Sequence, residues 1–160
     1  MISIIVAMNI NGVIGKDGKL PFHNPVDMKR FKDRTLNHTV VMGHKTFNSL
    51  SKPLIGRRNI VLSRNEDLVL KDAEVMSLQR FIKTVYLFSP EEQEIFVIGG
   101  GQIYSYFLDI ARKMYITMIN GDFEGDTYFP NYDKSDWKEI NKEVSVEGNC
   151  TFLEYDKIWK

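Results

Sequence analysis

The chain has 160 residues, 43% apolar and 26% charged, enough for one globular domain with a substantial core. Lys plus Arg and Asp plus Glu balance at 21 each, so no basic excess points to nucleic acid or to an anionic membrane. A single cysteine, Cys150, excludes an internal disulfide and a Cys-rich metal site. The opening Met1-Ile2-Ser3-Ile4-Ile5-Val6-Ala7-Met8 is too short and unflanked for a signal peptide or a membrane span, which predicts a cytoplasmic protein of a reducing compartment with no metal.

Ile2–Met8, rich in Ile and Val, predicts a strand buried on both faces. Gly15, Gly18 and Pro21 then make the stretch from Val13 to Phe22 a long loop, and long loops in compact domains usually serve function. Pro25 suits a first helical turn, and Met28, Phe31 and Thr35 share one helical face with Asp27 at its edge. An acid there is commonly just a partner for the helix dipole. Beside an apolar face and under a glycine-hinged loop, it can instead be a desolvated acid with a lid.

Residues 39–42 read as a second buried strand closed by Gly43, and 44–50 as a short helix. Pro53 and Gly56 turn the chain into a third strand, 57–62, ending at Ser63-Arg64. A short strand at 73–76, a helix over Leu78–Phe88 and a loop at 89–93 follow, the helix resting on Leu78, Phe81, Ile82 and Val85. A strand at 95–98 breaks at Gly99-Gly100-Gly101 into a helix over 102–111. Then come a strand at 114–119, a polar loop at 120–130, and segments 137–146 and 150–159 around Gly148-Asn149, a pair suited to a two-residue hairpin. The order predicts an α/β fold: a mixed, mostly parallel sheet with an antiparallel C-terminal edge hairpin.

Two strand-to-helix junctions could bind phosphate. Gly43-His44-Lys45-Thr46 opens a helix with a cation and a hydroxyl, and Ile98-Gly99-Gly100-Gly101-Gln102 lets backbone approach a ligand closely. Glycine is also the plain way to turn from strand to helix, and Tyr104 stands where G-x-G-x-x-G requires a third glycine. Ser63-Arg64 could take a further phosphate or be a solvated turn; Arg57 could clamp a carboxylate or lie exposed.

Val13-Ile14-Gly15 with Leu20-Pro21, Asp27, Phe31, Met42-Gly43 with Thr46, Gly56-Arg57, Ile98-Gly99-Gly100 with Tyr104, and Glu124-Gly125-Asp126-Thr127 with Phe129-Pro130 resemble dihydrofolate reductase of the bacterial and phage type, colinearly over nearly the whole chain. The resemblance implies one domain over 1–160 with an adenosine-binding subdomain at about 38–90, an eight-stranded sheet and four helices. It implies NADPH-dependent reduction of 7,8-dihydrofolate to tetrahydrofolate by a monomer that also binds the antifolates methotrexate and trimethoprim.

Carried onto this sequence, the catalytic set would be Asp27, Phe22 and Tyr104, with Asp27 promoting protonation of the pterin N5 and Thr117 supporting it. Ile5, Ala7, Met28, Phe31, Leu50, Leu54 and Ile98 would enclose the substrate, and Arg57 would hold its glutamate α-carboxylate. Ala7, Ile14, Gly15 and Leu20 would flank the nicotinamide. Gly43, Thr46, Gly99, Gly100, Gly101, Gln102, Ile103 and Thr127 would serve the rest of the cofactor, with His44, Lys45, Leu62, Ser63 and Arg64 towards its adenosine end.

The family's Gly99–Gly100 bond is cis, and its lid finds a partner at Asp126. Phe22 stands where the family usually has Trp, His44 where it has Arg, and the 147–149 turn is short. The rivals are the related riboflavin-pathway reductase, against which Asp27, Phe31 and Arg57 argue because they would select a pterin joined to a glutamate tail, and a nucleotide-binding module without turnover.

Overall fold

A computed structural model describes residues 1–88 and 93–159; the loop expected at 89–93 lies, apart from Gln93, outside the described residues. The elements run β1 (Ile2–Met8), β2 (Val13–Gly15), α1 (Pro25–Thr35), β3 (Thr39–Gly43), α2 (His44–Ser49), β4 (Arg58–Leu62), β5 (Glu74–Met76) and α3 (Leu78–Phe88). They continue as β6 (Ile95–Gly99), α4 (Gly101–Phe107), β7 (Lys113–Ile119), β8 (Thr127–Tyr128), β9 (Trp137–Ser145) and β10 (Cys150–Lys157).

Eight strands form one sheet in the order β5-β4-β3-β6-β1-β7-β10-β9. All neighbours from β5 to β7 are parallel; β10 is antiparallel to β7, and β9 to β10. The expected architecture is therefore present. Alternation along the strands splits the core. Ile2, Ile4 and Val6 of β1 face a cluster with Phe81 of α3 and Tyr104 and Phe107 of α4. Ile5 joins Val40, Met42, Phe96 and Phe47 of α2 on the other face. The edge strand β9 is exposed and carries Lys138, Glu139, Lys142 and Glu143, charges that discourage a foreign strand from pairing there.

Three expected elements differ. The loop beginning at Val13 is partly strand, because β2 pairs antiparallel with β8, which itself emerges from the expected polar loop. Beyond it, Lys16 and Lys19 bridge across Asp17 and Gly18, both at positive φ. The helix expected to reach residue 111 stops at Phe107, whose carbonyl then receives the N–H groups of both Ile110 and Ala111. The hairpin turn has four residues, 146–149, rather than two. Asn149 sits at φ 47°, and the Gly148 carbonyl is engaged by another element instead of closing a tight turn.

Candidate active site

β3 and β6 are neighbours, with Met42 opposite Gly99, so the two glycine junctions open side by side at the strands' C-terminal ends. A Cβ on Gly100 would lie 3.4 Å from Thr46 Oγ1, so the start of α4 touches α2. Gly43 caps α2 and Gly100 caps α4, both without a side-chain cap, so the first-turn N–H groups of both helices have no side-chain acceptor. Gly101 is confined more tightly: a Cβ there would meet the Tyr128 carbonyl oxygen at 2.9 Å. The Gly99–Gly100 peptide is cis.

Around these junctions Ile103 packs on Gly43, and Gln102 donates to the Tyr106 hydroxyl at 3.0 Å. His44 is half-buried, while Lys45 and Arg64 are exposed. Ser63 Oγ accepts from the Asn65 N–H at 3.1 Å. The Leu62 side chain turns away into the core beneath α3.

Asp27 lies across β1 from these junctions, on the Ile5 side of the sheet. Asn24 fixes it there, its Oδ1 accepting the Asp27 N–H at 3.0 Å while its Nδ2 donates to the Gly148 carbonyl at 2.7 Å. Asp27 lines a cavity with Ile5, Phe31, Tyr115, Thr117 and Phe152. Burial raises its pKa above the usual carboxylate value, and Thr117 and Arg30 draw it partly back.

Leu50, Leu54 and Ile98 extend that wall beside Ile5. Ala7 and Phe22 pack with Val26, Phe123 and Phe152, the Phe22 and Phe123 rings 5.7 Å apart. Leu20 and Met28 are 63% and 52% exposed, the apolar rim of an open cleft. Tyr104 is buried under Phe129, donates to the Ile5 carbonyl at 2.9 Å, and has its pKa pushed far up by burial and by the Asp27 charge.

Arg57 lies at the other end of α1. Its Nη1 donates to Thr35 Oγ1 at 3.1 Å and its Nε to the Ile55 carbonyl at 3.0 Å. Sequence reasoning missed what holds this loop. Buried Asn59 accepts the Leu54 N–H and donates to the Leu54 and Arg57 carbonyls. Its one visible signal was a polar side chain directly before the apolar run Ile60-Val61-Leu62. Asn9 was missed likewise; its Oδ1 accepts the N–H groups of Asn11 and Val13, and its Nδ2 donates to the Phe123 carbonyl.

The stretch from Val13 to Phe22 is bonded to Asp126, the partner that the resemblance implies for it. Asp126 accepts the Asp17 N–H at 2.9 Å and gives its own N–H to the Gly15 carbonyl at 3.0 Å. The bond from Asp17, with one from the Thr127 hydroxyl, holds its pKa below the usual value. Gly15 and Thr127 sit opposite one another in the β2–β8 pair, and Ile14 is buried behind them.

An α/β sheet with a crevice at its strand ends, uncapped helix starts on one side and a desolvated carboxyl on the other, is the plan of a doubly wound nucleotide-dependent enzyme. The comparisons narrow that class. The family model described as dihydrofolate reductase matches residues 1–157. A dihydrofolate reductase of Bacillus subtilis is 40% identical, over 98% of this chain and 95% of its own. One from Staphylococcus haemolyticus is 39% identical, over 96% and 91%. A solved Enterococcus faecalis dihydrofolate reductase, complexed with NADP(H) and RAB-propyl, superposes with a TM-score of 0.88 at 34% identity, covering 98% of this chain and 96% of that one. The chain belongs to the dihydrofolate reductase family and is an oxidoreductase.

Proposed function

We propose that this enzyme reduces 7,8-dihydrofolate to 5,6,7,8-tetrahydrofolate with NADPH, and that Asp27 promotes protonation of the pterin N5. The observation that carries the reading is Asp27 itself: a carboxyl with a burial-raised pKa, on a cleft wall with Ile5, Phe31 and Thr117, in a chain of this family. When bound, NADPH supplies the hydride. The residues present fit it, because two neighbouring helix starts without side-chain caps leave N–H donors suited to a diphosphate. Thr46 and Gln102 would assist them, and His44, Lys45, Ser63 and Arg64 would lie towards the 2′-phosphate.

The chain's own work would be alignment, proton delivery and exclusion of water. Asp27 would pair with the pterin's N3 and 2-amino edge, supported by Thr117, and its raised pKa keeps a proton available nearer neutrality. Met28, Phe31, Leu50 and Leu54 would enclose the rings, and Arg57, steadied by Thr35, would take the α-carboxylate. Tyr104, its hydroxyl committed to Ile5, would hold the nicotinamide side of the cleft in shape. The lid held by Asp126 would exclude water over Leu20 and Phe22. Methotrexate and trimethoprim would compete for the same cleft. We further infer a cytoplasmic monomer folded as one domain over 1–160, with residues 38–90, which hold β3 to β5, as its adenosine-binding part.

The test is loss of NADPH absorbance on adding dihydrofolate to the purified protein. Binding of both without turnover, or turnover only with a pyrimidine ribityl substrate, would overturn the reading.

A further inference from the structure

Arg30 lies one turn beyond Asp27 on α1, so the two side chains share a face, and both line the same cavity. A surface arginine usually samples many rotamers, but this one is held at three points. Its Cζ sits 4.1 Å above the centre of the Phe152 ring. Its Nη1 donates to Glu143 Oε2 of β9 at 3.0 Å, and its Nη2 to Glu154 Oε1 of β10 at 3.5 Å. Glu154 is steadied in turn by Arg34, whose guanidinium lies 4.1 Å over the Tyr115 ring. Phe152 pairs directly with Thr117, which lines the cavity with Asp27 and draws its pKa down.

We propose that Arg30 is a positioning residue for the reaction: pinned on Phe152 by Glu143 and Glu154, it holds a fixed positive charge beside Asp27 and so sets the pH range in which the enzyme works. In its kinetic form the inference rests on the proton-donor reading of Asp27. The groups around Asp27 are Arg30 and Arg34 from α1, Tyr104 from α4, Tyr115 and Thr117 from β7, and Cys150 and Glu154 from β10, with Glu143 of β9 behind Arg30. Arg34 lies over Tyr115 and bonds Glu154, Tyr115 donates to Glu94, and Tyr104 donates to Ile5, so each is committed elsewhere. Arg30, one turn along α1 and lining the same cavity, is the cation whose charge reaches Asp27. Its charge favours the ionised carboxylate, so removing it moves Asp27's titration to higher pH.

The experiment compares Arg30→Met, Arg30→Lys and Lys29→Met with wild type. Two readouts are taken: the pH dependence of the hydride-transfer rate, and the titration of the Asp27 carboxyl carbon by NMR. Lys29 is on the same helix but solvent-exposed and paired with Asp33, so it controls for net charge. Arg30→Met should raise both midpoints by about half a unit or more, a gain of roughly threefold in rate on the alkaline limb. Arg30→Lys should stay near wild type, and Lys29→Met should move neither.

If Arg30→Met lowers the rate at every pH with both midpoints unmoved, Arg30 is only structural and the inference fails. If the NMR midpoint moves while the rate profile does not, Arg30 sets the carboxyl's ionisation as inferred and Asp27 is not the proton source. Arg30→Gln, which keeps a donor towards Glu143, replaces the methionine variant should that one not fold, with the same expected shifts.

Discussion

Most carboxylates at a helix start face water and cost the fold nothing; Asp27 is turned towards Thr117 and Phe31, where burial penalises its charge. Because its folded pKa is raised, the folded state holds the proton more tightly than the unfolded chain does. The resulting cost is absent below the unfolded value, grows as pH rises between the two values, and remains in full above the folded one. Asp27→Asn should therefore unfold at an equal or higher urea midpoint than wild type at pH 7, while its turnover there falls by about two orders of magnitude or more. A rate within a few-fold of wild type, or a lowered urea midpoint, would contradict this. Asp27 and Arg57 were legible in the sequence because each sits beside a punctuating proline or glycine within a familiar spacing. Asn9, Asn24 and Asn59 were not. Asparagine in a sequence reads as a turn former, and only the folded chain shows three of them bonding backbone groups that hold the site loops.

At the level of elements, the lid is tied down by a few backbone bonds and one close approach. A Cβ on Gly125 would overlap the Val13 side chain at Cγ1 and come within 2.5 Å of the Gly15 carbonyl oxygen, a backbone atom of β2 that cannot swing aside as a side-chain tip could. Gly125→Ala should push β2 from β8, break the Asp126–Gly15 bond, and slow hydride transfer at least several-fold with little loss of global stability. Single-turnover kinetics set beside a thermal melt would check it; an unchanged hydride step would show that the lid does not depend on this contact. The hold on Asp17 also has a pH direction. Since Asp126's pKa is depressed, that bond is at full strength above the ordinary carboxylate range and weakens as pH falls through the depressed value. Helix α3 was legible from its apolar spacing alone. The β2–β8 pair was not, because two or three residues are too few for any period and its partners lie in stretches that look like loop.

Over the whole molecule, much of the stability rests on the core of the sheet face opposite Asp27, which Phe81 and Phe107 fill behind Tyr104. Phe107 is fully buried and meets Phe81 edge-on at 5.7 Å, on the side of the sheet away from Asp27. Phe107→Ala should cost about 3–5 kcal/mol in urea unfolding yet leave turnover per folded molecule near wild type at low temperature. A large fall in both would mean that the two faces are coupled through the sheet. The α/β class was legible because Ile- and Val-rich runs alternate with helical spacings. The strand order was not, since strands buried on both faces carry no alternation to reveal which neighbour they choose. That order has a bearing on synthesis. β1 lies between β6 and β7, so Ile2 finds its partner Ile95 only after about ninety further residues have been translated. At about 5–20 residues per second, an apolar segment of seven residues spends on the order of ten seconds with both hydrogen-bonding edges open. A strand buried in the middle of the finished sheet is thus left exposed to aggregation in the nascent chain, and a charge placed at Ile4 to relieve that hazard would unmake the core it guards.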